Sequence, residues 1–206
     1  MNLKQWLLKP SAKVLLFMVC LIPFGMLLAG AVTDHLGADP AQFILLNTGI
    51  WALRFLCIAL CITPLRQLTG WSVLARFRRM LGLFVFFYAS LHLLSYAGFD
   101  MGFDVLEIVR DIPKRPFILV GFLAWTGLLL MALTSINKII KKMGARRWKK
   151  LHQIVYSILL LGLLHFFWMR SAKHRYDEVE LYAVFTFILL GWRVFDHFRA
   201  PVRAKA

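Results

Sequence analysis

The chain has 206 residues, of which 60% are hydrophobic and 17% charged, and its mean hydropathy is +0.70. Soluble domains are about half apolar and a quarter charged, so this composition excludes a water-soluble globular domain and indicates a protein whose solvent is lipid. The 25 Lys and Arg residues outnumber the 10 Asp and Glu residues, which gives a net charge of +15. In a chain without a soluble basic face, this excess favours membrane topology over nucleic-acid binding.

Six continuous apolar stretches follow one another along the chain, each near the roughly 20 residues that a helix needs to cross hydrocarbon. They cover residues 14–32, 43–63, 80–98, 117–136, 151–169 and 179–192. Because they are continuous and not alternating, they favour helices over a barrel. The expected fold class is an all-α polytopic membrane helix bundle with about six transmembrane helices, and residues 1–206 are expected to form a single transmembrane domain.

Two of these stretches can be interpreted as something other than a retained transmembrane helix. The first has the basic flank of a secretion signal, but it is longer than a usual signal core and is expected to be a retained helix. The sixth is short unless it continues as an interfacial helix towards Phe198.

Charges divide unequally between the connections. The N-terminal tail, residues 64–79, residues 137–150 and the tail after Trp192 hold 18 basic residues and a single acid, Asp196. The alternate connections hold nine acids and six bases. Since Lys and Arg accumulate in cytoplasmic loops, this bias predicts that both termini lie in the cytoplasm and that the acidic connections face outward. The connections are short and carry no phosphate-binding or dinucleotide fingerprint, so no separate catalytic domain is expected.

Three of the six histidines, His92, His152 and His165, lie in apolar stretches, where ionisable residues are rare and usually functional. The third and fifth helices are both predicted to run outward. His92 follows Arg79 by 13 residues and His165 follows His152 by 13, so both lie roughly 20 Å from the inner ends of their helices. Two neutral imidazoles at one depth are the ligands of a b-type haem, which predicts a haem near the outer face.

The position of His152 leaves two arrangements open. Thirteen residues at 100° rotate an ideal helix by about 220°, so His152 and His165 would not point the same way. Either the fifth helix is distorted, for example near Gly162, or the two histidines serve different sites. Hydrogen bonding of all three histidines to neighbouring helices, without a cofactor, is the structural alternative.

Arg54 lies near the middle of the second stretch, and no Asp or Glu falls within any stretch to balance its charge. An unpaired buried cation is costly. A haem propionate, a flavin phosphate or snorkelling to water would each relieve the cost, and a cofactor anion is the favoured partner.

Two segments carry a resemblance to a known family. Residues 78–92 (RRMLGL followed by YASLH) and 148–165 (WKKLH followed by Tyr156 and LLH) resemble the MsrQ (YedZ) family. Its members are the haem-binding membrane subunits of periplasmic protein-methionine-sulfoxide reductase systems, and they belong to the ferric-reductase-like transmembrane group. The resemblance covers essentially the whole chain.

The resemblance implies a b haem and an FMN in a multi-pass protein of the bacterial inner (cytoplasmic) membrane. Electrons would come from the quinone pool or from a cytosolic flavin reductase. They would pass to a periplasmic molybdopterin subunit that reduces methionine sulfoxide in damaged proteins. The chain would then be an electron-transfer subunit of an oxidoreductase complex. A self-sufficient ferric reductase and a cofactor-free transporter or scaffold are the alternative functions.

Carried over residue by residue, the resemblance makes His92, His152 and His165 the haem histidines. The wider group stacks two haems on two histidines of its third helix, whereas here Arg79 or Arg78 occupies the second of those positions. One haem or two is therefore left open. His152 and the two arginines would be free to bind a flavin or a quinone.

Overall fold

The computed structural model describes residues 3–171 and 176–203, which form ten α-helices and no strand. Three of the charged residues counted above, Lys173, Arg175 and Lys205, lie outside the described residues. The helices are α1 (Leu3–Leu8), α2 (Pro10–Val32), α3 (Pro40–Thr69), α4 (Arg78–Ser95), α5 (Val105–Lys114), α6 (Pro116–Leu133), α7 (Asn137–Met143), α8 (Ala145–Leu151), α9 (Val155–Ser171) and α10 (Asp177–Arg203). Short 3₁₀ segments precede α4 and α9, and a π turn (Tyr96–Asp100) follows α4.

Five segments of the described chain are long and apolar enough to cross a membrane: Pro10–Val32, Pro40–Thr69, Ser72–Asp100, Pro116–Leu133 and Ala145–Ser171. These segments contain the first five predicted stretches in order. The one difference is in the fourth stretch, which was predicted to end at residue 136, whereas α6 ends at Leu133. The predicted all-α membrane bundle is confirmed.

The sixth predicted stretch lies in α10, which is not among those five segments and extends well past residue 192. The ring of Tyr182 contacts Phe166, and Arg193 lies over the ring of Tyr156. These contacts are about 16 Å apart along α10 and occur in reverse order along α9, so the two helices run antiparallel. α10 therefore lies lengthwise along the bundle, and its crossing of the membrane stays a prediction.

The ends of α3 follow from local sequence. The Asp39 side chain accepts a hydrogen bond from the backbone N–H of Gln42 at 2.9 Å, and Pro40 occupies the first helical position. Gly70 ends the helix with φ 69°, a left-handed conformation that favours glycine.

Two helix pairs form the centre of the bundle. α3 packs most extensively on α4, and α6 on α9, while α4 also contacts α6 and joins the two pairs. α5 lies against α6 at the end of the bundle that carries Asp100 and Asp111, which we call the outer end. The space between the two pairs contains the candidate site.

Tyr88 attaches α2 to this centre. Its side chain is fully buried, and its hydroxyl accepts from the N–H of Phe24 at 3.1 Å and donates to the carbonyl of Cys20 at 2.8 Å. A regular helix would join those two backbone groups directly, so the hydroxyl is inserted into the hydrogen-bond ladder beside Pro23.

Tyr88→Phe is expected to destabilise the protein, because it removes the hydroxyl and leaves two buried backbone groups without that partner. The expected cost is about 1–3 kcal/mol, seen as a lower apparent melting temperature in detergent. Tyr156→Phe keeps the ring under Arg193 and is the matched control, expected within about 0.5 kcal/mol of wild type. Equal melting temperatures for the two variants would contradict the bridging role.

Candidate functional site

A cavity of about 360 Å³ lies between the two helix pairs, toward the outer end. It extends from Gln42 to Leu56 along α3, which is about 21 Å at 1.5 Å per residue. Most of its lining is apolar, with a few polar groups near the mouth. This composition and size are typical of cofactor and small-ligand sites.

His92 of α4 and His165 of α9 both line the cavity and face each other, with ring centres 5.9 Å apart and ring planes at 76°. The predicted pairing of these two histidines at one depth is therefore present in the structure. Two metal–imidazole bonds of about 2.0–2.1 Å, with each ring centre roughly 1 Å behind its nitrogen, require ring centres about 6 Å apart. The observed separation fits one metal atom held between the rings.

Backbone carbonyls orient both imidazoles. Nδ1 of His92 donates to the carbonyl oxygen of Leu45 at 2.8 Å, and Nδ1 of His165 donates to that of Phe117 at 2.7 Å. A carbonyl can only accept, so each Nδ1 carries the proton and each Nε2 keeps its lone pair. Metal-ligating histidines use their second ring nitrogen in the same way.

Two glycines let the imidazoles approach those carbonyls. Gly49 lies one turn after Leu45, and Gly121 one turn after Phe117. A Cβ at Gly49 would lie 3.0 Å from Cε1 of His92, and a Cβ at Gly121 would lie 2.9 Å from Nδ1 of His165. Both contacts are too close for an undisturbed ring. The same carbonyl and glycine arrangement therefore occurs twice, on α3 and on α6.

His152 does not join this pair. It lies in the 3₁₀ segment His152–Ile154, with Nε2 3.2 Å from Oγ1 of Thr134 and its ring 4.1 Å from that of Trp148. α9 continues unbroken past Gly162, so the distortion suggested near that residue is wrong. The interruption lies at residues 152–154, where the contacts with Thr134 and Trp148 hold the turn. His152 therefore lies away from the His92–His165 pair, near the inner end.

The three arginines named from the sequence also lie away from the cavity lining. Nε of Arg54 donates to the Tyr182 hydroxyl at 3.0 Å, and its guanidinium lies 4.7 Å from the centre of the Trp51 ring. An aromatic face and a hydroxyl are neutral partners that lower the cost of a cation in the membrane. Arg79 donates to Oδ1 of Asn137 at 2.7 Å, and Arg78 begins α4 at the inner end.

Two basic residues on the cavity lining, Arg115 and Arg170, were missed by the sequence reasoning. Arg115 donates through Nε to both carboxylate oxygens of Asp111 at 2.8 Å. This hydrogen bonding, together with that from the Tyr96 hydroxyl, keeps the pKa of Asp111 below its ordinary value. Arg170 forms an ion pair with Glu178. Their position in the sequence could have revealed them. Both are basic residues at the outer ends of spans, where the charge bias predicts acidic connections.

The fold and the site define a class: polytopic helical membrane proteins that pair histidines from two helices across an apolar cavity. The family model for the ferric reductase like transmembrane component matches residues 48–163, more than half of the chain. This range contains His92 and ends two residues before His165.

Comparison with curated proteins identifies the branch. The chain is 59% identical over 194 residues to a protein of Polaromonas naphthalenivorans (strain CJ2), covering 94% of this chain and 89% of that protein. It is 49% identical to a protein of Herminiimonas arsenicoxydans, covering 89% and 84% of the two chains. Both relatives are named protein-methionine-sulfoxide reductase heme-binding subunit MsrQ.

The chain therefore belongs to the ferric-reductase-like transmembrane family, in its MsrQ branch, and the predicted resemblance is confirmed. A further MsrQ relative, from Xanthomonas euvesicatoria pv. vesicatoria (strain 85-10), is 49% identical over 82% of this chain and 76% of its own length. No solved structure matches the chain at a significant level.

Proposed function

We propose that this protein binds one b-type haem between His92 and His165 and carries electrons across the bacterial inner membrane to a methionine-sulfoxide reductase on the outer side. The observation that supports this most is the pair of imidazoles, 5.9 Å apart, each with its Nδ1 proton held by a carbonyl. The names of the relatives, which specify heme binding and a methionine-sulfoxide reductase, agree with this proposal.

The haem, when bound, supplies one-electron redox chemistry. The chain supplies the ligands and their environment. The carbonyls of Leu45 and Phe117 fix the tautomer of each imidazole and increase its basicity as a ligand. The apolar lining excludes water from the site, which is one way in which a protein sets the potential of such a centre.

The acceptor in this proposal is a separate protein. The charged residues of the cavity lining lie toward the outer end, and the outer connections in the described chain are short, so in this proposal the electron leaves to a docked partner. We propose the periplasmic molybdopterin-containing methionine-sulfoxide reductase subunit as that partner. In this proposal the chain is the electron-transfer subunit and the partner holds the catalytic site.

We propose the inner end as the place where electrons enter, from the quinone pool or from a cytosolic flavin reductase. His152 lies there, together with Arg78 and Arg79 at the start of α4 and the basic residues of α7 and α8. A basic surface suits the phosphate of FMN. The proposal that FMN binds at this end is supported by the family resemblance and by these charges.

The direction of transfer can be tested by stopped-flow reoxidation of the chemically reduced protein. Fast reoxidation is expected only when the reductase partner and methionine sulfoxide are both present, because in this proposal the partner holds the site that reduces the sulfoxide. Ferric citrate is the control acceptor. Equal rates in all conditions would contradict the proposal, and fast reoxidation by ferric citrate alone would indicate a self-sufficient ferric reductase.

Gly121→Ala is expected to weaken haem binding, since its methyl group would displace the imidazole of His165. An overpacking cost of about 1–3 kcal/mol corresponds to roughly 5- to 150-fold lower affinity in a haem titration. Gly82→Ala on α4 is the matched control, because nothing lies within 4 Å of a Cβ at that position. Unchanged haem affinity in Gly121→Ala would show that the bound haem does not use His165 as the structure places it.

A further inference from the structure

Two guanidinium groups lie at the mouth of the cavity. Ligation of the iron by the histidines gives neither of them a role. Arg115 immediately precedes α6, and Arg170 lies in the last turn of α9, five residues after His165. The remaining charged residue on the lining is Asp100, and each arginine also pairs with a carboxylate outside the lining, Asp111 or Glu178. Both arginines occur at the end of the bundle where the connections are otherwise rich in acids.

Arg115 is held in place by neighbours that leave part of its guanidinium available. Asp111 accepts from its Nε and Nη2, and the Tyr96 hydroxyl donates to the same carboxylate at 2.6 Å. The rings of Tyr96 and Phe117 each lie 5.9 Å from Cζ of Arg115. A guanidinium has five N–H donors in a rigid fork, so one edge can be anchored while the others bind a ligand.

In the described part of the chain, Arg170 has a buried donor that lacks an acceptor. Its side chain is 12% exposed, its Nη2 pairs with Glu178, and its guanidinium lies 5.4 Å from the Phe166 ring. Among the described residues, Nε of Arg170 is buried and has no hydrogen-bond partner. A buried charged donor without an acceptor is costly, so an acceptor in the cavity would remove this cost.

We propose that Arg115 and Arg170 bind the two propionate carboxylates of the haem and hold that edge of the ring at the outer mouth. The inference rests on the proposed function, because a porphyrin held by His92 and His165 is what would supply two carboxylates there. Arginine is suited to this role, since its fork binds carboxylates through charge-assisted hydrogen bonds. The opposite edge of the ring then lies among apolar residues at the deep end, such as Leu56, Leu128 and Ile158.

This orientation has a consequence for electron transfer. The propionate edge faces the outer end, where the proposed reductase docks, and Asp111 and Glu178 hold the arginines from the outer side. Removing either arginine leaves a propionate carboxylate without its counter-charge. The uncompensated negative charge stabilises the ferric haem, which is more positive than the ferrous haem. The haem midpoint potential should therefore fall in Arg115→Gln and Arg170→Gln.

The test compares two porphyrins on the purified full-length protein after haem depletion: iron protoporphyrin IX and its dimethyl ester, in which both carboxylates are blocked. Wild type is expected to bind the acid form about 10- to 100-fold more tightly, given the usual strength of hydrogen bonds to charged groups. Arg115→Gln and Arg170→Gln should each lower affinity for the acid form roughly tenfold and leave affinity for the ester unchanged.

Arg110→Gln is the matched control, because it removes the same charge from the exposed face of α5 outside the cavity. It should keep the full preference for the acid form and an unchanged midpoint potential. Equal affinity of wild type for both porphyrins would overturn the inference, and so would equal losses for both porphyrins in the arginine variants.

If the arginine variants fail to fold, the comparison of the two porphyrins on wild type still tests the inference, since it needs no substitution. Failure of wild type to bind either porphyrin would overturn the proposed function, and this inference with it. Tight binding of both porphyrins with equal affinity would overturn this inference alone.

Discussion

Two side-chain-to-backbone hydrogen bonds determine the arrangement of the site. The imidazoles of His92 and His165 come from α4 and α9, but the carbonyls that hold them belong to α3 and α6. Each bond therefore ties a ligand-bearing helix to its packing partner. Each bond also requires a glycine one turn after the accepting residue, because a methyl group there would meet the ring. The orientation of both lone pairs depends on these two contacts.

The charged residues of the bundle are accommodated in three different ways. Arg54, in the middle of a span, is balanced by neutral aromatic partners and not by an acid. Arg115 and Arg170, at the outer end, each pair with a carboxylate while lining the cavity. The basic residues of the inner end are mostly exposed, as expected for cytoplasmic loops. Of these arginines, Arg115 and Arg170 are the ones on the cavity lining.

Depth along a helix could be predicted from the sequence, but lateral contacts could not. Counting residues from the inner ends placed His92 and His165 at one level, because a helix has a fixed rise per residue. The sequence did not reveal that Gly49 and Gly121 face these rings, since that depends on which helices are neighbours. The break at residues 152–154 was also missed, because it depends on contacts with Thr134 and Trp148. The position of Arg115 on the cavity lining was hidden for the same reason.

The central claim is that His92 and His165, and not His152, hold the haem iron. The most direct measurement is the absorption and electron paramagnetic resonance spectrum of purified His92→Ala, His165→Ala and His152→Ala, each with its haem content. The account predicts that the first two lose the low-spin b-type signal, since each removes one axial ligand, and that His152→Ala keeps it. Normal haem content and an unchanged low-spin signal in His92→Ala and His165→Ala would contradict the account.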